Sequence, residues 1–342
     1  MSWLQWAKVA RSVAMSKIPL YVNMDETSVC VNYAGGRGLV VSRKSLPPGK
    51  KHRKEQISSS DAKARVSLLT FLTHSSEIQP HLPQILLGNK HRLLVSLLQQ
   101  LTPHIPANFH VWREESSWVN HVIMRRVLCL LVLSLQAFMA TYQIILVLDC
   151  ARCHIHPTIF ALATRLGVRL LYVPAKLTFL LQPADTHCFS RLKQKLRQKW
   201  MQLKVDSSSG EISHLEWFIA MLQIVSQVLC SNRWEPAFLS VGLLDERKLS
   251  SRVLNHLGWD SPVAIPNDIP SVAQLQNIFP RRSRIFRDSL FSWALPKPKA
   301  QPKPLPKARA PDAIPQYISS ISLSLDGPIS SRTRKRSFAE VV

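Results

Sequence analysis

The run VLCLLVLSLQAFMATYQIILVL, residues 127–148, carries no charge over 22 positions, and few chain architectures accommodate that. It is long enough to span a bilayer once. Gln136, Thr141, Tyr142 and Gln143 interrupt it, so we read a buried helix to about residue 139, a turn, and a buried strand Gln143–Leu148. No membrane span is expected. The strand stops at Asp149. A polar segment then leads to a helix near Pro157–Leu166, with Pro157 suited to the first turn and Gly167 closing it. A second strand, Val168–Val173, follows. Strands this short and apolar on both faces pair in parallel and are buried. The fold class is therefore α/β.

Around this unit the pattern is less uniform. Residues 1–17 predict a short amphipathic lead helix, and Ile18–Met24 a strand that stops at Asp25-Glu26-Thr27. A second strand is expected at Ser28–Tyr33, and a basic loop at 43–54. RVSLLTFLTH (65–74) and HLPQILLG (81–88) predict a hairpin, and 117–133 a helix. From Asp185 another helix opens, with Phe189, Leu192, Leu196, Trp200 and Leu203 on one apolar stripe. Residues 206–290 form a helical C-terminal region, and 291–342 a Pro/Lys-rich disordered tail with the cluster Arg332, Arg334, Lys335, Arg336. That cluster suits nuclear import, so a nuclear protein is expected.

The chain has 44 Lys+Arg against 21 Asp+Glu, a formal charge of +23. Such a surface favours polyanions, DNA first among them. Six cysteines in 342 residues are too sparse for a disulfide-stapled secreted domain. We expect reduced thiols.

Three chemistries compete at LVLDCARCHIHP (146–157). Cys150-Ala-Arg-Cys153-His154 spells a haem attachment signature, but it trails a buried strand in an α/β pattern, and no haem is expected. Zinc needs four ligands; Cys150 and Cys153 make one pair, and either His154 with His156 or His187 with Cys188 a second. Neither set has the spacing of a known finger. The third reading is carboxylate chemistry. Asp25, Asp149 and Asp185 each follow an apolar segment, and strand ends can bring such residues together. Convergent carboxylates repel unless a cation neutralises them. Mg²⁺ or Mn²⁺, hard and oxygen-seeking, is the natural partner, and a two-metal site cleaves phosphodiesters.

Residues 18–204 resemble the catalytic core of DDE transposases of the mariner/pogo superfamily. The resemblance lies in Asp25-Glu26-Thr27, in Asp149 followed by His154, and in the spaced set Pro174, Thr178, Gln182, Pro183, Asp185. Asp149 and Asp185 stand 35 residues apart, within that family's range. The resemblance implies a ribonuclease H-like mixed sheet flanked by helices, with the catalytic core at 18–205. It also implies Asp25, Asp149 and Asp185 as the catalytic, metal-holding acids of a DNA endonuclease and strand transferase. Glu26 and His154 would be accessory; Lys176, Lys193, Lys195 and Arg197 would contact DNA phosphates. A homodimer is expected. Two departures stand out: Cys150 where the family commonly has Asn, and Thr186-His187 where it has small or apolar residues. A thiol cannot make an amide's hydrogen bonds, so a catalytically inactive DNA-binding protein is the alternative. That family's N-terminal helix-turn-helix modules have no counterpart in the 17 residues before the first strand, which implies a truncated or domesticated core.

Overall fold

The structure is a computed structural model, and it describes residues 1–12, 16–31, 65–91, 93–207, 211–230 and 232–279. The expected basic loop, the tail with its Arg/Lys cluster, and the end of the expected strand Ser28–Tyr33 lie outside these residues. In chain order the elements are α1 (Ser2–Ser12), β1 (Ile18–Cys30), β2 (Arg65–Thr73), β3 (Gln84–Asn89), α2 (Val95–Leu101) and β4 (Phe109–Glu114). Next come α3 (His121–Ser134), β5 (Tyr142–Leu148), α4 (Pro157–Arg165), β6 (Arg169–Tyr172), the single turn α5 (Thr178–Leu181) and α6 (Phe189–Asp206). Helices α7 (His214–Cys230), α8 (Glu235–Ser240), α9 (Ser251–Leu257) and α10 (Val272–Ile278) complete the described chain.

Among the described residues the strands form one six-stranded sheet in the order β4-β3-β2-β1-β5-β6. β1, β5 and β6 run parallel, while β2 is antiparallel to both β1 and β3. The result is the expected mixed sheet flanked by helices. The uncharged run divides as expected, into α3 and β5. Ile144–Leu148 is buried throughout because β5 has β1 on one side and β6 on the other. Each such side chain contributes about 2 kcal/mol of hydrophobic stabilisation, and no charge is tolerated there. Among the described residues no helix is long and apolar enough to cross a membrane.

One expectation is corrected. The break at Asp25-Glu26-Thr27 does not exist: β1 is a single strand of 13 residues. Its second half pairs with β2 from Asp25↔Thr70 to Cys30↔Arg65. The polar triplet is tolerated because β5 has already ended, leaving the other edge of β1 open. Residues 89–116, whose mixed composition predicts no element, contribute α2 and the edge strand β4, which pairs in parallel with β3.

Helix α1 belongs to the core. Trp3, Trp6, Ala7, Val9 and Ala10 are buried. Trp3 Nε1 donates to the Tyr172 carbonyl (2.8 Å), and Tyr21 OH donates to the Ala7 carbonyl (2.9 Å). On the stripe of α6, Phe189, Leu192, Leu196 and Trp200 are buried and Leu203 half-buried. Trp200 meets Trp217 of α7 edge-to-face, with centroids 4.9 Å apart.

Candidate active site

The parallel pairing of β1 with β5 runs from Ile18↔Tyr142 to Asn23↔Val147. The same offset carried two residues further sets Asp25 beside Asp149, the first residue after β5. Two side chains fill the gap along the freed edge of β1. Asn23 donates from Nδ2 to the Val147 carbonyl (3.2 Å) and accepts at Oδ1 from the Ala184 N–H (2.8 Å). Gln182 Nε2 donates to the Met24 carbonyl (3.3 Å). Both amides are fully buried. They stitch the chain at Gln182-Pro183-Ala184 to β1, so Asp185 emerges next to Asp25. It does so on a wide, π-type turn, Ala184–Cys188, at the start of α6. Asp185 itself is exposed.

The electrostatics follow from this placement. Burial drives the Asp25 carboxyl well above the usual carboxylate range, and the negative charges of Asp185 and Asp149 add to it. The Glu26 N–H (2.8 Å) and His154 oppose the rise without cancelling it. Burial also raises Asp149, but His154 and the Ala151 N–H (3.0 Å) outweigh that and hold it below its ordinary value. Nδ1 of His154 lies 2.5 Å from Asp149 Oδ1. His154 is 2 % exposed, and burial alone would make it neutral. Its carboxylate neighbours and Cys153 reverse this and raise it well above the ordinary histidine value. Among the described residues no Lys or Arg forms an ion pair with Asp25, Asp149 or Asp185, although the chain carries a formal +23.

Asp25 and Asp185, which no Lys or Arg among the described residues pairs, together with the His154-paired Asp149 make an all-oxygen set that fits a hard divalent cation. They are more widely spaced than a single-ion cage: the ligand atoms gathered within 4.8 Å belong to Glu26, Cys153 and His154. The expected phosphate contacts are accessible. Lys193 and Arg197 are exposed and Lys195 half-buried on α6, the helix that Asp185 precedes. Lys176 is exposed in the loop before α5, with left-handed backbone (φ 68°).

The expected zinc sets do not assemble. Cys150 Sγ is turned onto the Val173 carbonyl (3.2 Å), and burial, with Asp149, pushes its thiol up to about 12. His156 stacks on His121 with centroids 4.3 Å apart, and His187 bonds to Thr186 (2.8 Å). Sequence reasoning did not assign roles to Asn23 or to the grouping of Glu26 with Cys153. Asn23, a lone amide inside the apolar run LYVNM, was a readable signal of a buried polar tie.

The sheet order and the spacing of Gln182-Pro183 and Asp185 can be set beside known proteins. Residues 64–233 match the family described as DDE superfamily endonuclease. That segment is 170 of the 342 residues, and over it the chain is similar to this family. Solved structures with a similar fold include the Mos1 transposase paired-end complex with left transposon end, at 16% identity and TM-score 0.35, covering 71% of this chain and 62% of that one. Another is the Mos1 transposase catalytic domain with Raltegravir and Mn, at 14% identity and TM-score 0.34, covering 70% and 94% respectively. Likenesses this loose assign no residue roles. The chain thus spans less than two thirds of the full Mos1 chain in the first of these. No curated protein matches its sequence.

Proposed function

We propose that the core is a DNA phosphodiester nuclease and strand transferase of the transposase type, working with Mg²⁺ or Mn²⁺ at Asp25, Asp149 and Asp185. One observation carries the reading: the Asp25 carboxyl, 9 % exposed, is held above the usual carboxylate range first by burial and then by the charges of Asp185 and Asp149, with no Lys or Arg set against them. A buried acid in that state costs stability, and a divalent ligand removes the cost. When bound, the cations lower the pKa of the attacking hydroxyl and offset phosphate charge. The protein does the rest. Asn23 and Gln182 hold Asp185 against β1. His154, fixed by Asp149 at Nδ1, keeps one carboxylate oxygen of Asp149 occupied and orients the other. Lys193 and Arg197 on α6, with Lys176, hold the DNA backbone by charge. We further propose that the protein acts on DNA in the nucleus as a homodimer.

The test is Mn²⁺- or Mg²⁺-dependent nicking of supercoiled DNA by the purified full chain, set beside Asp149→Ala. Nicking that survives the substitution would sink the reading. Salt-sensitive DNA binding without nicking in the wild type would instead leave an inactive DNA-binding protein on the same fold.

A further inference from the structure

Beside the aspartates lies a second donor set of different chemistry. Oε1 of Glu26, Sγ of Cys153 and a ring nitrogen of His154 all lie within 4.8 Å of one another. Nε2 of His154, though buried, makes no hydrogen bond; it faces Glu26 Oε1 at 3.7 Å, an ion-pair distance while the ring is protonated and one that a cation displacing that proton would share. An orphaned nitrogen in a side chain 2 % exposed is costly unless something occupies it. The opposite nitrogen, Nδ1, faces Asp149 Oδ1 at 2.5 Å. That is the arrangement by which a carboxylate fixes the tautomer of a metal-binding imidazole and turns its other nitrogen toward the ion.

We propose that Glu26, Cys153 and His154 bind a zinc-type cation, with Asp149 supporting His154 and a water or DNA oxygen free to complete the tetrahedron. The N, S, O donor set is borderline-soft, which selects zinc over magnesium. Zn–N, Zn–O and Zn–S bonds of about 2.0–2.3 Å place tetrahedral ligands roughly 3.3–3.7 Å apart. The 3.7 Å between His154 Nε2 and Glu26 Oε1 already meets this. The frame is firm: His154 N–H bonds to the Ala151 carbonyl (3.0 Å), and Tyr172 OH donates to the His154 carbonyl (2.9 Å). Glu26 sits in the paired half of β1, opposite Leu69. The ion would tie the middle of β1 to the loop after β5 and fix the orientation of Asp149. This site shares Asp149, through His154, with the nuclease reading but takes none of its donors from Asp25, Asp149 or Asp185.

Cobalt(II) is the probe, since thiolate coordination gives a near-ultraviolet charge-transfer band that oxygen ligands do not. The full chain, stripped of metal, should take up one Co²⁺ with that band, and Zn²⁺ should displace it. Cys153→Ala should abolish the band and Cys150→Ala preserve it. Glu26→Gln should keep the band while weakening affinity at least about 10-fold. In the wild type, Zn²⁺ should slow alkylation of Cys153 but not of Cys150, a readout that needs no variant to fold. Absence of the band, its survival in Cys153→Ala, or its loss in Cys150→Ala overturns the proposal. Protein that nicks DNA yet shows no band overturns this proposal alone.

Discussion

Glu246 and Asp25 are both buried or nearly buried acids in a strongly basic chain, and the protein treats them in opposite ways. Glu246 receives Lys8 at 2.8 Å and Arg11 at 2.6 Å, both from α1. Burial raises its carboxyl, but Lys8, a backbone N–H and Arg11 outweigh this and hold it at about 2. Asp25 receives no such partner; burial, Asp185 and Asp149 drive it up. With 44 Lys+Arg in the sequence, cations are not scarce. The fold compensates the charge that ties α1 to the helical region with Lys and Arg, pairs Asp149 only with His154, and gives Asp25 no cationic side chain of its own. The first pattern stabilises structure, and the second suits a ligand.

The largest expected effect breaks the comparison at the site. Asp149→Asn keeps the shape but removes the charge shared with His154. Divalent-dependent nicking should fall about 1000-fold, or about 4 kcal/mol, the several-kcal/mol scale of metal-assisted catalysis. A fall below tenfold would show that Asp149 is only a structural partner of His154. The next effect belongs to the other cluster. Glu246→Gln strands Lys8 and Arg11 and should cost about 2 kcal/mol in urea unfolding at neutral pH, after allowing for solvent screening. The sign in pH follows from a depressed folded pKa. The contribution is complete above the unfolded value of about 4.3 and fades as pH falls toward about 2. The wild type should therefore lose its advantage over Glu246→Gln across that interval, and a constant gap would contradict the assignment.

The parallel half of the sheet was legible because β5 and β6 are apolar on both faces, and only a buried strand reads that way. β4 was hidden by its own composition. FHVWRE carries His, Arg and Glu because it is an edge strand whose charges are met from outside: Arg126 of α3 lies over Trp112 at 4.5 Å and pairs with Glu114. The false break in β1 has the same origin. Asp25, Glu26 and Thr27 look like a strand end until one knows that β5 stops first. The three aspartates could be named from the sequence because a carboxylate after an apolar run is conspicuous. The partnership of Glu26 with Cys153 could not, because it depends on β1 continuing past Asp25.

Two smaller effects sharpen the contrast. Without divalent ions, Asp25→Asn should stabilise the fold by about 1 kcal/mol, as removal of a strained functional group commonly does. Asp25 has a raised folded pKa, so its ionisation penalises the folded state only above the unfolded value of about 3.9. The gain should thus be present at neutral pH and vanish below about pH 4. A destabilised Asp25→Asn at neutral pH would mean that the acid is compensated after all.

The smallest effect concerns where the surplus positive charge acts. If the cations kept away from the aspartates serve the DNA backbone instead, the exposed Lys193 on α6 should behave as a phosphate contact. Lys193→Ala should weaken DNA binding several-fold, by about 1 kcal/mol or less, equally for unrelated sequences. It should also reduce the slope of log affinity against log salt by about 1. Folding stability should stay within about 0.5 kcal/mol, since an exposed side chain of this kind holds little of the core. Fluorescence anisotropy across a salt series reads both quantities. An unchanged slope would place the DNA path on another face.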